Sequence, residues 1–199
     1  MPQVSPSVGP ASAPKAVTPM AFAQAIVLAY QARGLDPTDA LAVAQIPPDQ
    51  VSDPQARITA SQLERLSDHA MRELDDEALG WFGRRLPWGS YGMLARASVS
   101  APTLGLALKR WCRHHGLLTD DIHLQLTVQG PTAEVALHDT RTGVSPLLRG
   151  FCHVSVLRNL HGVASWYIDS RIPLLEAQFS GPAPAHQDSY AVLFPTPGP

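Results

Sequence analysis

The sequence predicts an α+β fold, a helix-rich N-terminal half followed by a small sheet covered by helices. Three observations predict it. Apolar residues recur at helical spacing through the first 115 or so positions, the period switches to two between Ile122 and Leu137, and one more long helical pattern follows at Pro146. The chain has 199 residues, of which 45% are hydrophobic and 16% charged. A domain of that size buries roughly 70% of its unfolded surface, so it needs no metal or disulfide to hold a core.

Residues 1–17 carry Pro2, Pro6, Pro10 and Pro14 among Ser, Ala, Val and Gly, and read as a disordered tail. The folded domain is expected over 18–195, with 196–199 as the start of a linker. Thr18-Pro19 reads as an N-cap with proline at the first helical position, and Ala23, Ile26, Val27 and Tyr30 form the stripe of the helix that Gly34 ends. Asp36-Pro37 repeats the device for a short helix that Pro47-Pro48 stops, and Asp53-Pro54 marks a turn or another start. Thr59 to Gln62 is a capping box, followed by Leu63, Leu66, Ala70 and Leu74. A short helix is expected over Asp75–Leu86, broken by Pro87-Trp88-Gly89. Another is expected over Tyr91–Ser98, and a third runs from Pro102 through His115 to a Gly116 cap.

Ile122, Leu124, Leu126 and Val128 alternate with polar residues, Gln129-Gly130-Pro131 turns the chain, and Ala133, Val135 and Leu137 alternate again. This is an antiparallel pair. A helix follows from Pro146 to about Leu160 with Gly162 near its end, then a further strand over Ile172–Phe179 and a short helix over Ala185–Leu193.

Several function classes drop out. Net charge is −2, and the basic residues form only pairs such as Arg84-Arg85 and Lys109-Arg110, so the chain should not hold DNA tightly by itself. Cys112 and Cys152 lie in no C-x-x-C pattern, which suggests a reducing, cytoplasmic setting. There is no run long enough to span a membrane, no signal peptide, and no phosphate-binding glycine loop. Ser90 fails the G-x-S-x-G pattern because Trp88 stands two residues before it. The histidines show no H-x-x-x-H or zinc spacing, and His114-His115 point apart on a helix, so no metal and no cofactor are expected. Asp75-Asp76-Glu77 sits beside an expected helix start, where the dipole accounts for it.

The candidate ligand-binding residues lie on two helices. With Leu147 at zero on a helical wheel, Phe151, Val154, Arg158 and His161 fall within about 40° of it, so a cation and an imidazole continue an apolar stripe. Arg158 faces either an effector, a structural partner, or solvent beyond the core. On the helix ending at His115, Leu104, Ala107, Leu108 and Trp111 form a stripe that reaches His115. Trp111 could cover an apolar ligand, or be simple core with His115 at the negative helix end. Lys109, Arg110, Arg113 and His114 make a solvated face.

Gly34-Leu35-Asp36-Pro37, Ser100-Ala-Pro-Thr-Leu-Gly-Leu-Ala-Leu108, Leu157-Arg-Asn-Leu-His-Gly162, and Ser180-Gly-Pro-Ala-Pro-Ala185 followed by Tyr190 to Phe194 carry a resemblance. In this order, over about residues 20–195, they resemble the N-terminal, arabinose-binding-type domains of AraC/XylS-family transcription regulators. The resemblance implies a cytoplasmic domain that binds an unknown small-molecule effector and forms a homodimer. It also implies that DNA is met only through a helix-turn-helix unit beyond Pro199. The family name does not fix arabinose as the ligand. Two other readings stand beside the sensor: a ligand-free dimerisation module with a filled core, and a stand-alone enzyme built from distant residues.

Overall fold

Three of the chain's longer helices begin where a side-chain oxygen satisfies a free amide. The structure, a computed structural model, describes residues 16–195, so residues 1–15 of the tail expected over 1–17 and the expected linker at 196–199 lie outside the described residues. Among the described residues, seven α-helices and two small antiparallel sheets follow one another. They are β1 (Thr18–Pro19), α1 (Met20–Gln31), α2 (Thr38–Val43), β2 (Arg57–Ile58), α3 (Ala60–Glu73), α4 (Ser90–Val99), α5 (Leu104–His115), β3 (Ile122–Gln129), β4 (Thr132–Asp139), α6 (Pro146–Tyr167) and α7 (Tyr190–Leu193). Single 3-10 turns occupy Pro48–Gln50 and Gln187–Ser189.

The capping box is as the sequence predicts. Gln62 N–H donates to Thr59 Oγ1 at 3.1 Å, and Thr59 N–H donates to Gln62 Oε1 at 3.0 Å. Thr103 and Ser145 accept from Leu106 and Leu148 in the same way and start α5 and α6. Asp36 Oδ1 takes the N–H and hydroxyl of Thr38 and sets up α2. The hairpin register, Ile122 against Asp139 through Gln129 against Thr132, is the one the alternation implies.

Five expectations are corrected. Thr18-Pro19 is not a cap but a strand paired with Arg57–Ile58, and Met20 N–H finds the Ala56 carbonyl at 3.1 Å instead of a Thr18 oxygen. Asp75–Leu86 is not helical, because the Asp76 carboxylate takes the amides of Ala78, Gly80 and Leu86 at 3.0–3.1 Å and bends the chain around itself. α6 runs past Gly162 to Tyr167, since packing outweighs a glycine penalty of about 1 kcal/mol. Ile172–Phe179 forms no strand: Pro173 has no N–H to give a ladder, and α6 side chains take the adjacent backbone. Ser165 Oγ accepts from Ile172 N–H, and His161 Nε2 meets the Ile172 carbonyl. Ala185–Leu193 is helical only from Gln187 onward.

Helix α1 lies at the centre. It packs against α3 and α6, while α5 packs against α4, β3 and α6. Met20, Ile26, Tyr30, Leu66, Leu79, Trp111 and Ile122 are fully enclosed between them.

Asp76 is the polar centre of this core, 1% exposed. Its carboxylate also receives the Arg33 guanidinium. The neighbouring acids act on the same loop: Asp75 accepts from Trp88 N–H at 3.0 Å, and Glu77 accepts from Gly89 and Tyr91 N–H at 2.8 and 2.7 Å, at the start of α4. Replacing Asp76 by Ala strands three amides and a guanidinium. The expected loss is about 3 kcal/mol or more in urea unfolding followed by circular dichroism. A loss under about 1 kcal/mol would show that water replaces the carboxylate without cost.

Candidate functional site

Three of the five sequence-predicted residues meet in one aromatic interior, built where α5, α6 and the 75–89 loop converge. Phe151 on α6 stacks on Phe22 of α1 with ring centroids 5.1 Å apart, and meets Trp81 edge-on at 5.5 Å. Trp81 meets Phe82, and Phe82 meets His115 of α5, each edge-on at 6.1 Å. The hydroxyl of Tyr91 on α4 is 3.2 Å from His115 Nε2, and its ring stacks on Trp111. Trp111, His115 and Phe151 are all buried.

Two polar atoms in this interior have no partner among the described residues, Trp81 Nε1 and His115 Nδ1. An unpaired buried polar group costs about 1–3 kcal/mol, so both are poised to gain from a polar atom brought to them. Burial lowers the His115 pKa to about 4, so the ring is neutral at pH 7 and gains nothing from the helix end as a cation.

Arg158 and His161 lie elsewhere, about two and about three turns beyond Phe151 along α6. Arg158 is exposed and donates from Nη1 to the Leu193 carbonyl at 2.6 Å. Burial, and then the nearby charge of Arg171, lower its pKa. His161 Nε2 is 2.8 Å from the Ile172 carbonyl. The structure therefore ties these two to the C-terminal segment and does not join them to Trp111, His115 and Phe151.

A cleft of about 380 Å³ opens between Leu28, Ala29, Gln31, Ala32 and Arg33 of α1 and its exit, Leu79-Gly80 of the loop, and Leu148 of α6. Gly80 precedes Trp81 in sequence, and Leu148 lies one turn before Phe151, so the loop and helix that line the cleft also carry two aromatic residues of the interior. Gly80 has φ +76°, and a Cβ there would stand 3.2 Å from Ala29 Cβ, which is why glycine lets the loop approach α1. Arg33 stands at the cleft wall with Nη1 donating to the Ala29 carbonyl at 2.9 Å and its other nitrogen on Asp76. A second cleft of about 200 Å³ lies among Ala177, Phe179, Tyr190, Ala191 and Phe194.

Sequence reasoning missed a second buried carboxylate. Asp139 at the end of β4 accepts from Arg141 Nη2 at 2.6 Å, Arg149 Nη1 at 3.1 Å and His153 Nε2 at 2.8 Å. Arg141 also donates to the Trp81 carbonyl. Burial pushes the Asp139 carboxyl up, and the hydrogen bonds from Arg141 and His153 overcome it and hold it well below the usual carboxylate range. The Asp-Thr-Arg spacing within 139–141 was the one local signal for it. Burial pushes the thiols up, Cys112 to about 11 and Cys152 to about 12, so neither is a thiolate at neutral pH. No group of three His, Cys, Asp or Glu residues with metal-holding geometry occurs among the described residues, and no helix there is long and apolar enough to cross a membrane.

The His115 shift makes stability depend on pH. The folded value of about 4 lies below the ordinary 6.5, so the unfolded chain binds a proton that the folded chain refuses. The stabilisation is complete above about pH 6.5 and disappears as pH falls to about 4, in total about 3 kcal/mol. Asp139 adds its own loss only below the ordinary carboxylate value of 3.8. Urea unfolding at pH 7 and pH 4.5 should show the first drop, and His115→Gln should flatten it. An equal slope in the variant would assign the drop to other groups.

Comparison with known families matches residues 34–198 to the one described as the arabinose-binding domain of AraC transcription regulators, N-terminal. A search of curated proteins finds no match. The matched span takes in the cleft residue Leu148, Gly80 of the approaching loop, the aromatic interior from Trp81 to Phe151, and the Asp76 and Asp139 centres. This chain belongs to the family of N-terminal arabinose-binding domains of AraC-type transcription regulators.

Proposed function

We propose that the domain senses a small molecule at the α1 cleft and passes the change to its neighbours through the loop at 75–89. The observation that carries this reading is the position of Arg33. It is a wall of the cleft and at the same time the charged partner of Asp76, the group that holds the loop. A ligand that draws Arg33 toward itself weakens its grip on Asp76. The amides of Ala78, Gly80 and Leu86 are then free to rearrange, and Glu77 carries the change to the start of α4. The effector binds one loop arrangement better than the other and shifts their populations, a coupling typically of about 1–3 kcal/mol.

The cleft selects the ligand's chemistry. Leu28, Ala29, Ala32, Leu79 and Leu148 offer apolar surface, and Arg33 and Gln31 offer donors at one side. An apolar molecule with an acceptor end, a carboxylate in the simplest case, fits this lining. In this reading Trp111, His115 and Phe151 support the floor, while Arg158 and His161 brace the C-terminal segment. The domain works in the cytoplasm as a homodimer, and DNA contact belongs to a helix-turn-helix unit outside these residues.

A thermal-shift series with apolar carboxylates of graded length, and the matching alcohols as controls, tests the proposal. A carboxylate that binds should raise Tm by several degrees at saturating concentration, about 2.7 kcal/mol at a hundredfold over Kd. Ala32→Trp, an exposed substitution in the cleft wall, should abolish the shift without lowering the unliganded Tm. A shift that persists in this variant would move the ligand away from the cleft. No shift across the series would overturn the proposed ligand class.

A further inference from the structure

We infer that the free edge of β4 is the surface on which a second copy of this chain docks, forming a four-stranded antiparallel sheet with its two-fold axis at Ala136. This rests on the homodimer proposed above and names its surface.

The phase of the hairpin fixes which backbone groups are free. Thr140 N–H donates to the Asp121 carbonyl at 3.1 Å, and the register continues through His123 with His138, Gln125 with Ala136 and Thr127 with Glu134. These pairs exchange hydrogen bonds, so the N–H and C=O groups of Ala133, Val135 and Leu137 point away from β3. Their N–H groups have no partner among the described residues. The edge is eight residues long and contains no Lys and no Pro, the residues that commonly block edge-to-edge pairing.

The apolar face also runs out toward this edge. Helix α5 packs along β3, where Ile122 and Leu124 are buried, but Val135 and Leu137 on the same face of β4 stay only half-buried. A strand added beside β4 would continue the row.

Side-chain complementarity makes that strand a copy of β4. On the opposite face Glu134 and His138 are exposed and flank Ala136 at equal spacing. With the axis at Ala136, Glu134 stands opposite the partner's His138, and His138 opposite the partner's Glu134. On the apolar face Val135 stands opposite the partner's Leu137. Ala136 meets its own copy at a non-hydrogen-bonded pair, where Cα atoms approach to about 4.5 Å and a small side chain fits.

The 199-residue chain with Ala136→Cys tests the geometry. That separation lies within disulfide reach, and Cys112 and Cys152 are buried. Mild oxidation should give a covalent dimer that unfolds cooperatively, while Ala133→Cys, off the axis, should not cross-link. Light scattering at micromolar concentration should show a wild-type dimer. Val135→Pro, which removes only an outward N–H, should yield a folded monomer. Glu134→Lys should weaken the dimer about tenfold, and adding His138→Glu should restore it. A wild-type monomer would overturn dimerisation itself. A wild-type dimer that neither cross-links through Ala136→Cys nor responds to Glu134→Lys would keep the dimer and refute this edge. Either result leaves the cleft reading to its own thermal-shift test.

Discussion

A carboxylate placed in a protein interior must be given donors, and Asp76 obtains them by bending its own chain. Three backbone amides and Arg33 converge on it. No helix can satisfy that geometry, so residues 75–89 form a wrapped loop in which Asp75 and Leu79 adopt positive φ values of 45° and 47°. Such backbone costs of order 1 kcal/mol per residue and persists only where the surroundings over-determine it. The wrapping turns Trp81, Phe82 and Leu86 inward and leaves Glu77 at the start of α4. From the far side, Arg141, itself held by Asp139, grips the Trp81 carbonyl. The loop is thus fixed between two buried carboxylates, one reached from α1 and one from α6.

Elements specified by neighbours in sequence were legible. Thr59 and Gln62 are three residues apart and satisfy each other's backbone, so α3 announces its own start. The alternation from Ile122 to Leu137 dictates the hairpin because one face must be buried. The loop was not legible. In the sequence Asp76 stands out only as part of an acidic run, but its partners are backbone amides and a guanidinium 43 positions earlier, which leave no trace in spacing. Gly162 reads locally as a helix end, yet Leu160 and Ala164 on either side of it are buried and carry α6 onward. Ile172–Phe179 has strand composition without a strand to pair with. Leu174 and Phe179 pack against the core from irregular backbone instead.

The candidate site divides along the same line. The helical wheel correctly groups Phe151 with Val154, both buried, but extrapolates two turns too far. By Arg158 the helix has left the aromatic interior and faces the C-terminal segment. Trp111 and His115 share a stripe, and both reach the core, His115 as a neutral ring. The cleft itself is made by Gly80 closing on Ala29, a long-range approach that only the folded chain reveals. Residues 75–89 are held in place by polar contacts rather than by helix propensity.

The central claim is that Arg33 sets the order of this loop. Amide hydrogen exchange in the wild type and in Arg33→Gln measures that directly. Faster exchange is expected at Ala78, Gly80 and Leu86, with α3 and α6 as protected as before. Unchanged protection in the loop would contradict it, and so would an equal loss of protection throughout the domain.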